Sequence, residues 1–487
     1  MKAAFGWVLF ASCIGLQAVS PNFEDGKTPL RTVHVAVSGD DGGGDGSVAS
    51  PFRTIGRALS GVTPGTAVAV HPGDYLQRAY VEGVAGTEAN PIWIGGVPGQ
   101  AKPRFMGSSE GLHFSRVRYL VVHDLEVTQQ SDNGINADDG GDYANEAATA
   151  HVVFRNLHIH HIGSGGNQDC LKLSGVRDYH VHSSVFEYGS AGGSGIDHVG
   201  CHRGIIEENV FLQMGSNAVQ SKGGSSDIEI RRNRVVNHSG GERAFNIGGS
   251  TGFEYFRPPL STTVANYEAR DIRLIANWIE GYETPFAFVG SRDCVASNNT
   301  VILPGRWLMR ILQETLTSGS YVFGACASNR VLNNLFYYAR DTMASTLINV
   351  GSNTQAGSFE YSHNLWFNRS DPGHSTPSGM PVAETQGLFG QDPMFLDFAA
   401  RDLRLSEGSP GVGSGRSEAF LTLDFSGTPW ASPPSRGAWE LVVENRAPLL
   451  QTIGNAQVTS GEALVIRVQA TDADGDDLLY SASGEVP

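Results

Sequence analysis

Between Gln168 and Gly249 short runs of alternating apolar and polar residues return after roughly two dozen residues, a solenoid period. They read QDCLKLSG, GIDHVG, NAVQSKGG and GERAFNIGG, each closing on small residues before a second β-rich run. Period-two alternation predicts strands with one buried face. The corners that follow also recur, at Ser184-Val185-Phe186, Asn209-Val210-Phe211 and Asn233-Arg234-Val235, with weaker echoes at Asn156, Asn277, Asn299, Asn334 and Asn364. Asn tolerates the left-handed backbone of a tight corner, and stacked amides can hydrogen-bond from coil to coil. The pattern predicts an all-β chain with very little helix, wound into a coil of β-structure.

Either side of this centre the pattern changes. Pro51 to Leu59 carries apolar positions at helical spacing, with Pro near its start and Gly just after, which predicts a short helix capping the open end of the coil. Coils begin between Arg104 and Val127. Ser131 to Ala147 is a polar loop in which Asp138, Asp139, Asp142 and Glu146 suit either a hard cation or solvent. Ser250 to Arg270 interrupts the coils with an insertion rich in Phe253, Tyr255, Phe256 and Arg257; long loops on rigid scaffolds often carry function. Gly387 to Gly415 reads as a closing segment, and a composition change near Glu444-Asn445-Arg446 marks a boundary. Residues 21–445 are thus expected to form the solenoid and 446–487 the start of a β-sandwich too short to be complete.

Met1 to Ser20 has Lys2, an apolar run and small residues near its end, the layout of an export signal, with Cys13 a candidate lipid acceptor. No later stretch is apolar for long enough to span a bilayer. The expected location is secreted or cell-surface. The remaining cysteines, Cys170, Cys201, Cys294 and Cys326, fit neither a zinc pattern nor a dense disulfide framework. Cys170 and Cys201 fall in consecutive coils and could pair, or stay buried as thiols.

The formal net charge of -16 argues against nucleic acid. Lysine occurs only at Lys2, Lys27, Lys102, Lys172 and Lys222, and the last two lie in the central stretch. Parallel stacking at about 4.8 Å per coil brings equivalent positions together, so Asp169, Asp197, His198 and Lys222 are expected to gather, followed by Arg243 and Asn246. An unpaired ammonium is expensive to bury, which places Lys222 on the outer face. A cluster of His158, His160, His161, His180 and His182 reads as alternating outward imidazoles rather than a metal site.

These residues resemble right-handed parallel β-helix proteins of the pectate-lyase-like kind over about residues 33–415. In particular they resemble polysaccharide lyases of family 9. The resemblance implies Ca²⁺ held by Asp169 of QDCLKLSG and Asp197 of GIDHVG, with Lys222 of VQSKGG as base. His198 stands where that family has a second carboxylate, and is carried here as a substrate contact. Family 6 is similar in pairing Lys with an Arg some twenty residues on, which implies a catalytic role for Arg243. Asn246, Tyr255 and Arg257 are the remaining expected substrate contacts. The C-terminal residues, including Asp472 to Asp477, resemble cadherin-like or immunoglobulin-like repeats. Together the resemblances imply an exported monomer that cleaves an acidic polysaccharide by β-elimination. A glycoside hydrolase or uronan epimerase on the same fold, and a non-catalytic glycan-binding adhesin, are the alternatives.

Overall fold

The structure, a computed structural model, describes residues 23–441, 447–455, 457–463, 465–472 and 477–481. The expected signal, Cys13 and the linker at Glu444 lie outside the described residues. Contacts divide the chain between Glu440 and Leu441. In the second unit Leu449–Leu450 pairs antiparallel with Ala470–Thr471.

The first unit is wound from three long parallel sheets of 13, 10 and 12 strands. Each coil gives one strand to each sheet, as Val176–His182, Val185–Glu187 and Ile196–Val199 do in turn. Inward positions stack like on like: Ile159, Phe186, Phe211 and Val235 follow in register, and the rings of Phe186 and Phe211 lie 4.9 Å apart and nearly parallel. Farther along, Phe336 and Trp366 stack at 4.1 Å. This column of buried apolar side chains fills the coil, so the chain lengthens without needing a thicker core.

The Asn corners divide two tasks between two residues. The left-handed backbone falls on the residue before each ladder Asn: Glu208, Arg232, Ala276, Asn298, Asn333 and His363 all have φ between 53° and 57°. The Asn itself is the rung. The Asn209 backbone N–H and side-chain amide both donate to Asn233 Oδ1, at 3.0 and 3.1 Å. The same pair of bonds passes from Asn233 to Asn277, Asn277 to Asn299, Asn299 to Asn334 and Asn334 to Asn364. Asn156 is out of step with the rest. It holds the left-handed position itself (φ 51°), Leu157 takes the rung, and Ser184 begins the side-chain ladder. Buried amides that satisfy one another in this way fix the register of neighbouring coils.

The cap helix is shorter than the sequence pattern suggested, Ile55–Leu59. Asp41 accepts from the Arg53 and Thr54 backbone N–H groups and from the Thr54 hydroxyl, which keeps Pro51-Phe52 extended until Thr54 caps the helix. Ile55, Ala58 and Leu59 then plug the coil end. Cys170, Cys201, Cys294 and Cys326 are buried free thiols.

At the other end the ladder finishes on a carboxylate. Glu384 Oε1 accepts from the Asn364 N–H at 2.9 Å, and Oε2 from the Trp366 indole at 3.1 Å. Burial, only partly offset by these donors, raises its pKa from 4.5 to about 7. A carboxyl whose folded pKa is raised contributes stability that is full below the unfolded value and lost as pH rises through the folded one. Thermal melts of the wild type should therefore weaken from about pH 4.5 to beyond 7 through this group. Glu384→Gln should begin less stable at low pH, having lost an acceptor for Trp366, and show a flatter profile that closes on or crosses the wild type above pH 7. Parallel profiles for the two proteins would contradict the assignment.

Candidate active site

The ten-stranded sheet carries the site on its outer face. In its strands alternate residues point inward, among them Leu171 and Leu173, Ile196 and His198, and Val219 and Ser221. The outward residues of adjacent coils fall into columns by register. One column runs through His113, Asn136, Lys172, Asp197, Gln220 and Asn246. A second, two residues on, contains Ser115, Asp138, Ser174, Val199 and Lys222. Gly175, Gly200 and Gly223 end successive strands with φ of 68°, 61° and 65°. A Cβ on Gly200 would lie 2.4 Å from Arg257 Cβ, so the glycine also lets the insertion pack against the corner.

Lys172 sits at the centre of the charges. Its ammonium is 3.2 Å from Asp169 Oδ2 and also donates to Asp197 Oδ2. Asp169, in the turn before the Lys172 strand, is fixed by the Ser194 N–H at 2.8 Å. Lys222 reaches the same Asp197 oxygen at 3.5 Å and donates to Gln220 Oε1 at 3.3 Å. Burial and the Asp197 carboxylate push the Asp169 pKa up to about 6. Burial also disfavours ionised Asp197, but the Lys172 and Lys222 ammoniums outweigh it and hold its pKa below the ordinary value. Burial lowers the pKa of Lys172, and the two carboxylates reverse that and keep it well above the usual lysine range.

A cavity of about 670 Å³ opens above these groups, lined in part by Lys172, Lys222, His113, Asp138 and Tyr255. Its far wall is a clasp between the two long loops. Arg257 of the insertion donates to Asp139 at 2.7 and 3.2 Å, and its guanidinium lies 4.0 Å from the centre of the Tyr143 ring. Glu268 anchors the insertion by accepting from the Gly223 and Thr251 N–H groups and the Thr251 hydroxyl. His113 bridges Asp138 (2.6 Å) and Glu110 (3.2 Å), hydrogen bonds that raise its pKa to about 9 and keep it cationic at neutral pH.

The expected residues separate accordingly. Asp169, Asp197 and Lys222 come together, and Tyr255 lines the same cavity, half exposed. His198 does not contact the groove: strand alternation turns it into the coil, fully buried beside Tyr179 and hydrogen-bonded at Nδ1 to Gln220 O, and burial lowers its pKa to about 4. Arg243 pairs in register with Asn217, five residues before Lys222 on the same strand, about 16 Å away at ordinary strand rise. There it donates to Asn246 Oδ1 and pairs with Glu314, while Asn246 follows Gln220, the amide that accepts from Lys222, in the Lys172 column. Arg257 is engaged in the clasp. Lys172 is the functional candidate missed from the sequence. Aligning coils on Gly175, Gly200 and Gly223 places Lys172, Asp197 and Gln220 each three residues before the glycine, which would have found it.

The donor set does not fit a resident calcium ion. Calcium takes six to eight oxygens, whereas Asp169 and Asp197 leave one buried oxygen, Asp197 Oδ1, without a partner. Two ammoniums already occupy the space between and beside them. Among the described residues no three His, Cys, Asp or Glu side chains gather as metal ligands. In the polar loop, Asp139 is taken by Arg257, Asp138 by His113 and Ser115, and Glu146 faces Arg177.

Three long parallel sheets wound coil by coil, with an outward polar groove, define a right-handed parallel β-helix. Comparison with solved structures agrees on the fold. The pectate lyase Pel9A superposes with a TM-score of 0.56 at 16% identity, covering 85% of this chain and 97% of its own. A rhamnogalacturonan lyase gives 0.53 at 13% identity, covering 82% and 99%. A family model described as a protein of unknown function (DUF1565) matches residues 37–84. No curated protein matches the sequence.

Removing the Lys172 ammonium would leave two buried carboxylates facing each other. Lys172→Ala should cost about 3–5 kcal/mol in urea unfolding. Added calcium should raise the midpoint of this variant and leave that of the wild type unchanged. A calcium-dependent wild type would overturn the donor-set argument.

Proposed function

We propose that the chain acts on a glycan, cleaving an acidic, uronate-containing polysaccharide by β-elimination with Lys222 as base. One observation carries the reading. Lys172 and Lys222 stand together on the floor of the cavity and share Asp197, yet differ in how they are held. Lys172 is fixed between two acids and remains cationic; two of its three N–H donors are engaged and the third is left for a substrate carboxylate. Lys222 has only a longer contact to one acid and an amide partner.

In a uronate the C5 proton lies beside the carboxylate. An ammonium already oriented toward that carboxylate stabilises the charge that develops as the proton leaves. Lys222, once it has given up its own proton, takes the proton from C5, the C–H pair becomes the C4–C5 double bond, and the C4–O bond breaks with its electrons passing to oxygen. That oxygen then takes up a proton and departs as a hydroxyl. Positive charge from Lys172 thus does what the family resemblance assigned to calcium. Asp169 and Asp197 are only 2% and 1% exposed beneath the lysine, which disfavours them as the acid and base of a hydrolase.

A polymer substrate accords with export of the chain, as the layout of residues 1–20 also suggests. No helix among the described residues is long and apolar enough to cross a membrane.

The test is turnover of acidic polysaccharides followed by ultraviolet absorbance of the unsaturated product. Lys222→Ala should lower the rate by about 10²–10⁴-fold, the usual range for a lost general base, with polymer binding retained. Reducing ends without unsaturated product would favour a hydrolase. Binding without turnover in the wild type would favour the adhesin reading.

A further inference from the structure

A second cavity, of about 610 Å³, lies on the same face toward the capped end of the coil. It adjoins the first at Tyr80, which lines both. Tyr80 is the next outward residue after His113 in the column that contains Lys172. It is therefore three coils from Lys172, about 14 Å. Tyr80 is 47% exposed, so its side chain is open to the cavity.

The surroundings of the ring are built. The His113 imidazole meets it at 5.0 Å and 65°, and the Arg78 guanidinium lies 5.3 Å from its centre. Arg78 is itself held by Glu110 at 3.1 Å, the same carboxylate that holds His113. Arg53 brings a second guanidinium to the cavity, while the Asp74 carboxylate there is already held by Arg104 at 2.8 Å. The excess of local charge is positive in a chain whose net charge is strongly negative. Apart from Phe105, the residues lining this cavity fall within the segment 37–84 that matches a family model.

We propose that Tyr80 and Arg78 form a distal glycan subsite, Tyr80 stacking on a pyranose ring and Arg78 receiving the carboxylate of that sugar unit. This rests on the reading of the Lys172 site as the place where an acidic chain is bound. The column gives the chain its direction: from the reacting unit at Lys172 and Lys222, past His113, to Tyr80. A short oligomer held at Lys172 does not reach Tyr80, whereas one several units longer does. An aromatic face suits the apolar C–H surface of a sugar, and the guanidinium suits its carboxylate.

The experiment is calorimetric binding of oligogalacturonates and oligoalginates of increasing length, with neutral oligogalactans as the third series, to protein with Tyr80 as in the wild type, Tyr80→Ala or Tyr80→Phe, each carried in the Lys222→Ala background so that bound chains are not cleaved. Wild-type affinity should rise in a step, of about tenfold, once the chain spans the three coils, a gain equivalent to about 1.4 kcal/mol. Tyr80→Ala, its melting curve matching the wild type, should bind short oligomers as before and lack the step; Tyr80→Phe should keep it. Identical length dependence in Tyr80→Ala and wild type, or no step in the wild type, would overturn the subsite. A step with neutral chains only, lost in Tyr80→Ala, would support stacking at Tyr80 while sinking the acidic-substrate reading. Failure of all three series to bind would overturn both.

Discussion

Everything at the site depends on parallel coils keeping exact step with one another. A slip of one residue would turn Lys172 into the coil and Leu171 out of it. The register is held from within by stacked apolar residues and at one corner by the amide ladder from Asn209 to Asn364, where each backbone N–H depends on the side chain of the next coil. These bonds are buried, so a coil out of step leaves donors unsatisfied. The outer face can consequently carry polar and charged residues without setting the register, and a groove can be built on it.

The groove uses that freedom to arrange charges at a distance from one another in sequence. Asp169, Lys172, Asp197 and Lys222 come from three coils, yet Lys172 contacts both acids and meets Lys222 at a single oxygen of Asp197. Two buried acids would repel each other, and an ammonium between them resolves this while remaining directed at the cavity. The same arrangement leaves too few free oxygens at Asp169 and Asp197 for a calcium ion, because two ammoniums already lie against them. The loops add a wall to the cavity, joined by Arg257 and Asp139.

Much of this architecture was legible in the sequence because β-helix order is written as periodicity. The repeated corners gave the coils, and Pro51 to Leu59 gave the cap. Asn156 shows the limit: it has the right residue type but stands one position early, because both the left-handed slot and the rung accept Asn. The same ambiguity of one residue decided the site. His198 and Asp197 are neighbours in sequence but lie on opposite faces of one strand. Lys172 was overlooked because Asp169, three residues earlier in a turn, matched the expected acid. Arg243 and Lys222 have a suggestive spacing along the chain, but register places them at opposite ends of adjacent strands. The Arg257 to Asp139 clasp joins residues 118 apart, and no local pattern announces it.

The central claim is that a sugar carboxylate binds the Lys172 ammonium with its C5 proton facing Lys222. A crystal structure of the Lys222→Ala protein with a bound acidic oligosaccharide tests this most directly. The account predicts a carboxylate within hydrogen-bonding distance of Lys172 Nζ, C5 directed at the space vacated by Lys222, and the chain lying along the outward column. A carbohydrate bound on another face, or bound here with its carboxylate turned away from Lys172, would contradict it.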